Sequence, residues 1–99
     1  MKVRWSRVSH EDLRSILERL GAENPIAAKR FVRRLDGVLR RIGQFPEAAQ
    51  AVEQRLNVRR VPLVRYPFVL FYTVDKSEAI ILRIRHGAME NPLDGETEM

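Results

Sequence analysis

The chain contains no cysteine. Disulfides and thiolate metal ligands are excluded, and with them the small secreted scaffolds that depend on cross-links. Long apolar runs are missing too, since nothing approaches the roughly 20 residues that a membrane helix needs. Arg4 and Arg7 interrupt the N-terminus where a signal peptide would carry its apolar region. Internal repeats and low-complexity stretches are also absent. These absences leave an ordinary folded domain, with no membrane association, no metal and no cofactor expected. A cytoplasmic location is the simplest reading.

What is present fits one domain. The 99 residues are 44% hydrophobic and 31% charged, and splitting them would leave two cores too small to offset their conformational entropy. Charge is the most informative bulk feature. Lys and Arg total 18 against 13 acids, and fifteen of the 18 are arginine. Residues 1–89 hold all 18 bases and nine acids, giving +9, whereas residues 90–99 hold Glu90, Asp94, Glu96 and Glu98, giving −4. A basic body suits an anionic partner such as nucleic acid, a ribosomal surface or an acidic protein segment. Arginine in particular forms bidentate bonds to phosphate and carboxylate.

Hydropathy patterning gives the order of elements. Lys2 to Ser6 alternates polar and apolar, as a half-buried strand does. Ser9 is expected to cap a first helix, with Asp12 three residues on as in a capping box. Leu13, Ile16, Leu17 and Leu20 fall on one helical face, and Gly21 is expected to end it. Asn24-Pro25 starts a second helix, with asparagine as cap and proline at the first position. Its apolar stripe runs from Ala28 through Phe31, Leu35 and Val38 to Ile42, and Gly43 with Phe45-Pro46 stops it. The other face carries Lys29, Arg30, Arg33, Arg34, Arg40 and Arg41.

Residues 47–54 lack a strand pattern and are expected to cross over as a loop or short helix. Three strand-like runs follow, Leu56–Leu63, Phe68–Val74 and Ala79–Arg85, separated by hairpin punctuation. In the last run Ile80, Leu82 and Ile84 are expected on one face, with Ile81, Arg83 and Arg85 on the other. The predicted class is α+β: an N-terminal strand, a helical hairpin and a three-stranded antiparallel meander forming one sheet. The domain is expected to span 1–89, with 90–99 as a loose acidic tail.

Several short motifs occur in a recognisable order: Trp5-Ser6, Asp12-Leu13 with Ile16, Asn24-Pro25 with Ala28 and Phe31, Pro46, Arg59, Tyr66-Pro67-Phe68, Tyr72, and His86-Gly87. Each is weak alone, but in this order and spacing, over about residues 2–92, they resemble the ParE/RelE toxins of bacterial toxin–antitoxin pairs. The resemblance implies a RelE-like fold and neutralisation by a cognate acidic antitoxin in a hetero-oligomeric complex. Two functions occur among such toxins. RelE and YoeB types cut messenger RNA on the ribosome, whereas ParE types inhibit DNA gyrase and are not known to need a catalytic site.

The residues favour the second class. Alignment with the YoeB-like pattern puts Val69 where the nucleases carry a catalytic arginine, and Gly87 where they carry a tyrosine. His86, Arg83 and Arg85 remain as candidates for a nuclease, enough to hold phosphate but only part of an acid–base set. For His86 a structural duty at the strand end outweighs a catalytic one, and His10 reads as a surface residue. Trp5 and Tyr72 offer stacking platforms in principle, but aromatics at alternating strand positions are more often core.

The expected partner-binding residues are Arg59, Arg60, Arg65, Arg83 and Arg85. Arg59 and Arg60 are adjacent on a strand and face opposite sides, so only one of them is expected to meet the partner. The arginines of the second helix read mainly as a solvated face, with exposed members able to pair with antitoxin carboxylates. Met89 stands where many relatives have arginine, which allows a third reading: a weakened toxin that acts only as an antitoxin-binding module.

Overall fold

The computed structural model describes residues 1–53 and 55–87. Met89 and the acidic tail from 90 to 99 lie outside the described residues. The elements are β1 (Lys2–Trp5), α1 (Arg7–Glu23), α2 (Pro25–Gln44), β2 (Gln50–Val52), β3 (Arg55–Pro62), β4 (Phe68–Asp75) and β5 (Glu78–His86). The strands form one sheet in the order β1-β5-β4-β3-β2. β1 pairs with β5 in parallel, and every other pairing is antiparallel.

Local chemistry sets the helix boundaries. Ser6, in extended backbone, caps α1 by accepting a hydrogen bond from the Ser9 N–H at 3.1 Å. The cap therefore lies three residues before the expected Ser9. Ser9 is instead fully buried, and its hydroxyl donates to the Ser6 carbonyl at 2.9 Å. Asp12 is not a capping-box residue either, because the strand edge claims its carboxylate. Nor does Gly21 end the helix, which runs on to Glu23. An added Cβ at Gly21 would meet only the Ala28 Cβ, at 4.0 Å, so its place is where the two helices approach.

Asn24 does the work expected of it at one end of the turn and a second task at the other. Its N–H closes α1 on the Leu20 carbonyl at 2.8 Å, and its Oδ1 accepts from Ile26 N–H at 3.0 Å to open α2. Pro25 then occupies the first helical position. Gly43 lies inside the last turn of α2 rather than stopping it. An added Cβ there would come within 3.0 Å of the Met1 carbonyl, so glycine permits the start of β1 to cross the helix end.

Strands β3, β4 and β5 fall within one residue of the expected runs. β2 was not expected. It pairs antiparallel with β3, Gln50 opposite Arg60 and Ala51 opposite Arg59, and makes the sheet five-stranded rather than four-stranded. Three residues are too few to show a period. The segment is held by tertiary bonds, as the Arg59 guanidinium donates to the carbonyls of Glu47 at 2.9 Å and Ala49 at 2.7 Å.

Both helices pack on one sheet face, and their buried stripes meet Leu63, Leu70, Tyr72, Ala79, Ile81 and Ile84 in the main core. A smaller apolar cluster of Val58, Val69 and Phe71, with Val52 and Leu82 against it, lies on the other face. Strict alternation in β5 fails at one point. Phe71 faces Arg83 but Tyr72 faces Ile81, so Leu82 is an extra residue, as in a β-bulge. Ile81 and Ile84 therefore share the helix-side core, while Leu82 packs opposite them. The expected grouping of Ile80, Leu82 and Ile84 is thus corrected by a bulge that the sequence does not mark.

Candidate functional site

Beyond Trp5, strand β1 ends, and among the described residues the outer edge of β5 has no strand partner from Leu82 onward. Helix α1 takes that place. Ser6 donates to the Leu82 carbonyl at 3.2 Å, and Asp12 accepts from the Ile84 N–H at 3.1 Å. The same carboxylate receives the Arg83 guanidinium at 2.8 and 3.2 Å, in a fork whose side chains are only 18% and 17% exposed. Arg83, a candidate for both catalysis and partner binding, is thereby committed to fastening α1 to the sheet. The cleft beside this fork, about 250 Å³, is bordered by Arg19 and Leu20 of α1 and by Phe68, Arg85 and His86.

His86 and Arg85 share that cleft border but leave β5 on opposite faces. His86 sits opposite Phe68, on the helix side, with the rings edge to face at 6.0 Å. Arg85 sits opposite Val69, which belongs to the cluster on the other face. Phe68 also meets Phe31 edge to face at 5.8 Å, and Phe31 meets Tyr66 at 5.1 Å. The motif residues are therefore one aromatic chain, from Tyr66 through buried Phe31 and half-buried Phe68 to exposed His86. Gly87 N–H donates to the Pro67 carbonyl at 2.6 Å and closes this end.

Val69 and Gly87, the two positions that depart from the nuclease pattern, come together. A Cβ at Gly87 would lie 3.4 Å from Val69 Cγ2. Val69 itself is buried at 7% exposure beside Phe71. The two positions where the resemblance places an arginine and a tyrosine thus adjoin, and neither carries a side chain that could hold phosphate or move a proton.

The other expected residues are dispersed. Arg59 lies on the helix side opposite Tyr72, bound to the 47–49 backbone as described, while Arg60 faces the other way opposite Phe71. Arg65 lies in the β3–β4 turn, exposed, with a left-handed φ of 77°. Tyr72 is fully buried, its hydroxyl donating to the Pro46 carbonyl at 2.5 Å. Burial pushes its phenol above the usual tyrosine range, partly opposed by the nearby Arg59 charge. Trp5 packs against the same core. Fully buried Tyr72 therefore offers no stacking face. Among the described residues, no group of three or more His, Asp or Glu side chains converges as a metal site, and no helix is long and apolar enough to cross a membrane.

A second concavity, about 330 Å³, lies between the C-terminal half of α2 and strands β2 and β3. Val38, Ile42, Phe45 and Val61 give it an apolar lining, with Arg34, Arg41 and Arg60 among the surrounding residues. Phe45 is 57% exposed, with the Arg41 guanidinium 5.9 Å from its ring centre. The sequence shows Phe45 only as part of a helix stop, and its role as an exposed aromatic follows from where α2 ends.

The fold and this arrangement define a small two-helix, five-strand α+β domain whose recurrent residues hold it together. Its relatives confirm the class. The family model for the ParE toxin of type II toxin–antitoxin systems, parDE, matches residues 3–91. A solved structure of the chromosomal ParDE toxin–antitoxin system from P. aeruginosa is similar with a TM-score of 0.75 and 26% identity, over 87% of this chain and 95% of that one. No curated protein matches. The chain belongs to the ParE toxin family.

Proposed function

We propose that this toxin acts by binding and inhibiting DNA gyrase, and that a cognate acidic antitoxin neutralises it in a hetero-oligomeric complex. The observation that carries the reading is the pair of adjoining positions Val69 and Gly87. A nuclease must activate the 2′-hydroxyl, stabilise the phosphorane charge and protonate the leaving oxygen. Here the two positions expected to supply an arginine and a tyrosine hold a valine and a glycine that lie side by side, and Arg83 is tied to Asp12. What remains suits a surface that binds rather than cuts.

Neutralisation has a matching surface. The groove along α2 offers Val38, Ile42 and Phe45 to apolar anchors, and Arg34 and Arg41 to carboxylates. An acidic amphipathic segment that folds on binding uses that combination.

Purified protein assayed on gyrase and on translating ribosomes tests the reading. Inhibited supercoiling with intact mRNA is expected. Ribosome-dependent mRNA cleavage with unaffected supercoiling would instead establish the RelE-type alternative, which the shared cleft border of Arg83, Arg85 and His86 keeps in view. Tight antitoxin binding with neither activity would identify a binding module alone.

A further inference from the structure

The outer face of α2 is a second cationic surface, separate from the end of β5. With 3.6 residues per turn, Lys29, Arg30, Arg33, Arg34, Arg40 and Arg41 fall within an arc of roughly 140°, along about 18 Å of helix. The buried residues Phe31, Leu35, Val38 and Ile42 face the other way. All six cations are exposed.

The two helices treat their charges differently. On α1, Arg7 is 3.9 Å from Glu11 and Arg14 is 4.0 Å from Glu18, so its exposed face is partly neutralised from within. On α2, none of the six cations forms an ion pair among the described residues, although Asp36 lies at the edge of the same arc. In the middle of the arc stands Gly37, where an added Cβ would meet nothing within 4 Å. A partner backbone can therefore approach the helix closely between two flanks of positive charge.

We propose that this face of α2 binds the phosphate backbone of duplex DNA without sequence preference. Arg34 and Arg41 border the apolar groove, so the DNA contact falls to Lys29, Arg30, Arg33 and Arg40. Between these four the arc carries no apolar side chain, whereas an acidic protein helix needs apolar anchors beside its carboxylates. It carries no aromatic either, so a single strand has nothing on which to stack. A helix of about 10–12 Å across fits the B-form major groove, and the narrow A-form groove of duplex RNA does not admit it. This inference is independent of the gyrase reading.

Fluorescence anisotropy of the full chain with a mixed-sequence DNA duplex, between about 50 and 200 mM salt, tests it. Contact with about four phosphates predicts a slope of log K against log salt near −3.6, at roughly −0.9 per phosphate. R30Q/R33Q should flatten that slope by about 1.8. R7Q/R14Q removes the same charge from α1 and should leave the slope nearly unchanged, with circular dichroism confirming that both variants are folded. Equal losses in the two variants would mean that net charge alone attracts DNA, and would overturn the proposal. So would tighter binding to duplex RNA, or loss in R30Q/R33Q of binding to a glutamate-rich peptide but not to DNA.

Discussion

Asp12 makes the most consequential contact outside the core, and its removal gives a quantitative test. Asp12→Ala deletes both bonds of the Arg83 fork and the acceptor of the Ile84 N–H. A buried N–H left without a partner costs about 1–3 kcal/mol. Breaking a buried ion pair costs about 3–5 kcal/mol, but these side chains keep 18% and 17% exposure, so water softens that loss to about 1–2 kcal/mol. The sum is a destabilisation of about 3 kcal/mol, a large share of the 5–15 kcal/mol typical of a domain. In urea, with a slope near 1.5 kcal/mol per molar, the midpoint should fall by about 2 M. Asp12→Asn retains a neutral acceptor for Ile84 and should lose about half as much. A double-mutant cycle with Arg83→Met should return a coupling of at least about 1 kcal/mol. Coupling near zero, or loss in Asp12→Ala below about 0.5 kcal/mol, would sink the structural reading of Arg83. The same variants bear on function. If Arg83→Met, assayed where it is folded, inhibits gyrase as the parent does, the arginine serves the fold rather than the target.

Three further outcomes are expected. Arg59→Met should destabilise by about 1–2 kcal/mol by releasing the Glu47 and Ala49 carbonyls, while Arg60→Met should stay within about 0.5 kcal/mol; equal urea midpoints for the two would contradict the placement of these neighbours on opposite faces. Ser6→Ala should cost about 1–2 kcal/mol, because it removes the α1 cap and the bond to Leu82; a silent Ser6→Ala in thermal melts would return the cap to another residue. The Tyr72 phenol is raised in the folded state, so its contribution is fully present below about pH 10 and is lost as pH rises through the folded value. Ultraviolet titration should therefore show one of the two tyrosines ionising late, and Tyr72→Phe should remove that late step. If the step survives in Tyr72→Phe, the assignment fails.

The motifs by which this chain resembles the toxin family are mostly architectural. Asp12 fastens α1 to β5, Asn24 joins the helices, and Phe31, Tyr66, Phe68 and His86 form one aromatic chain. Pro46 accepts from Tyr72, and Arg59 secures the crossover. Such residues make the fold readable from sequence while saying little about the target. For that reason the functional reading rests on Val69 and Gly87, where the pattern is broken.

Sequence by itself determined what depends on near neighbours in the chain. The α2 stripe, the Asn24-Pro25 junction and the three long strands are legible because helical and strand periods and caps are local. It also settled that Arg59 and Arg60 face opposite sides, a consequence of the strand pleat alone. Tertiary structure decided the rest. Ser6 displaced Ser9 as cap because the strand end positions it against Leu82, and three-residue β2 formed because β3 and Arg59 hold it. The bulge at Leu82 rephased β5, and Asp12 met Arg83 across 71 positions of sequence. These are long-range pairings, and no local period encodes which distant residue will satisfy a given charge or strand edge.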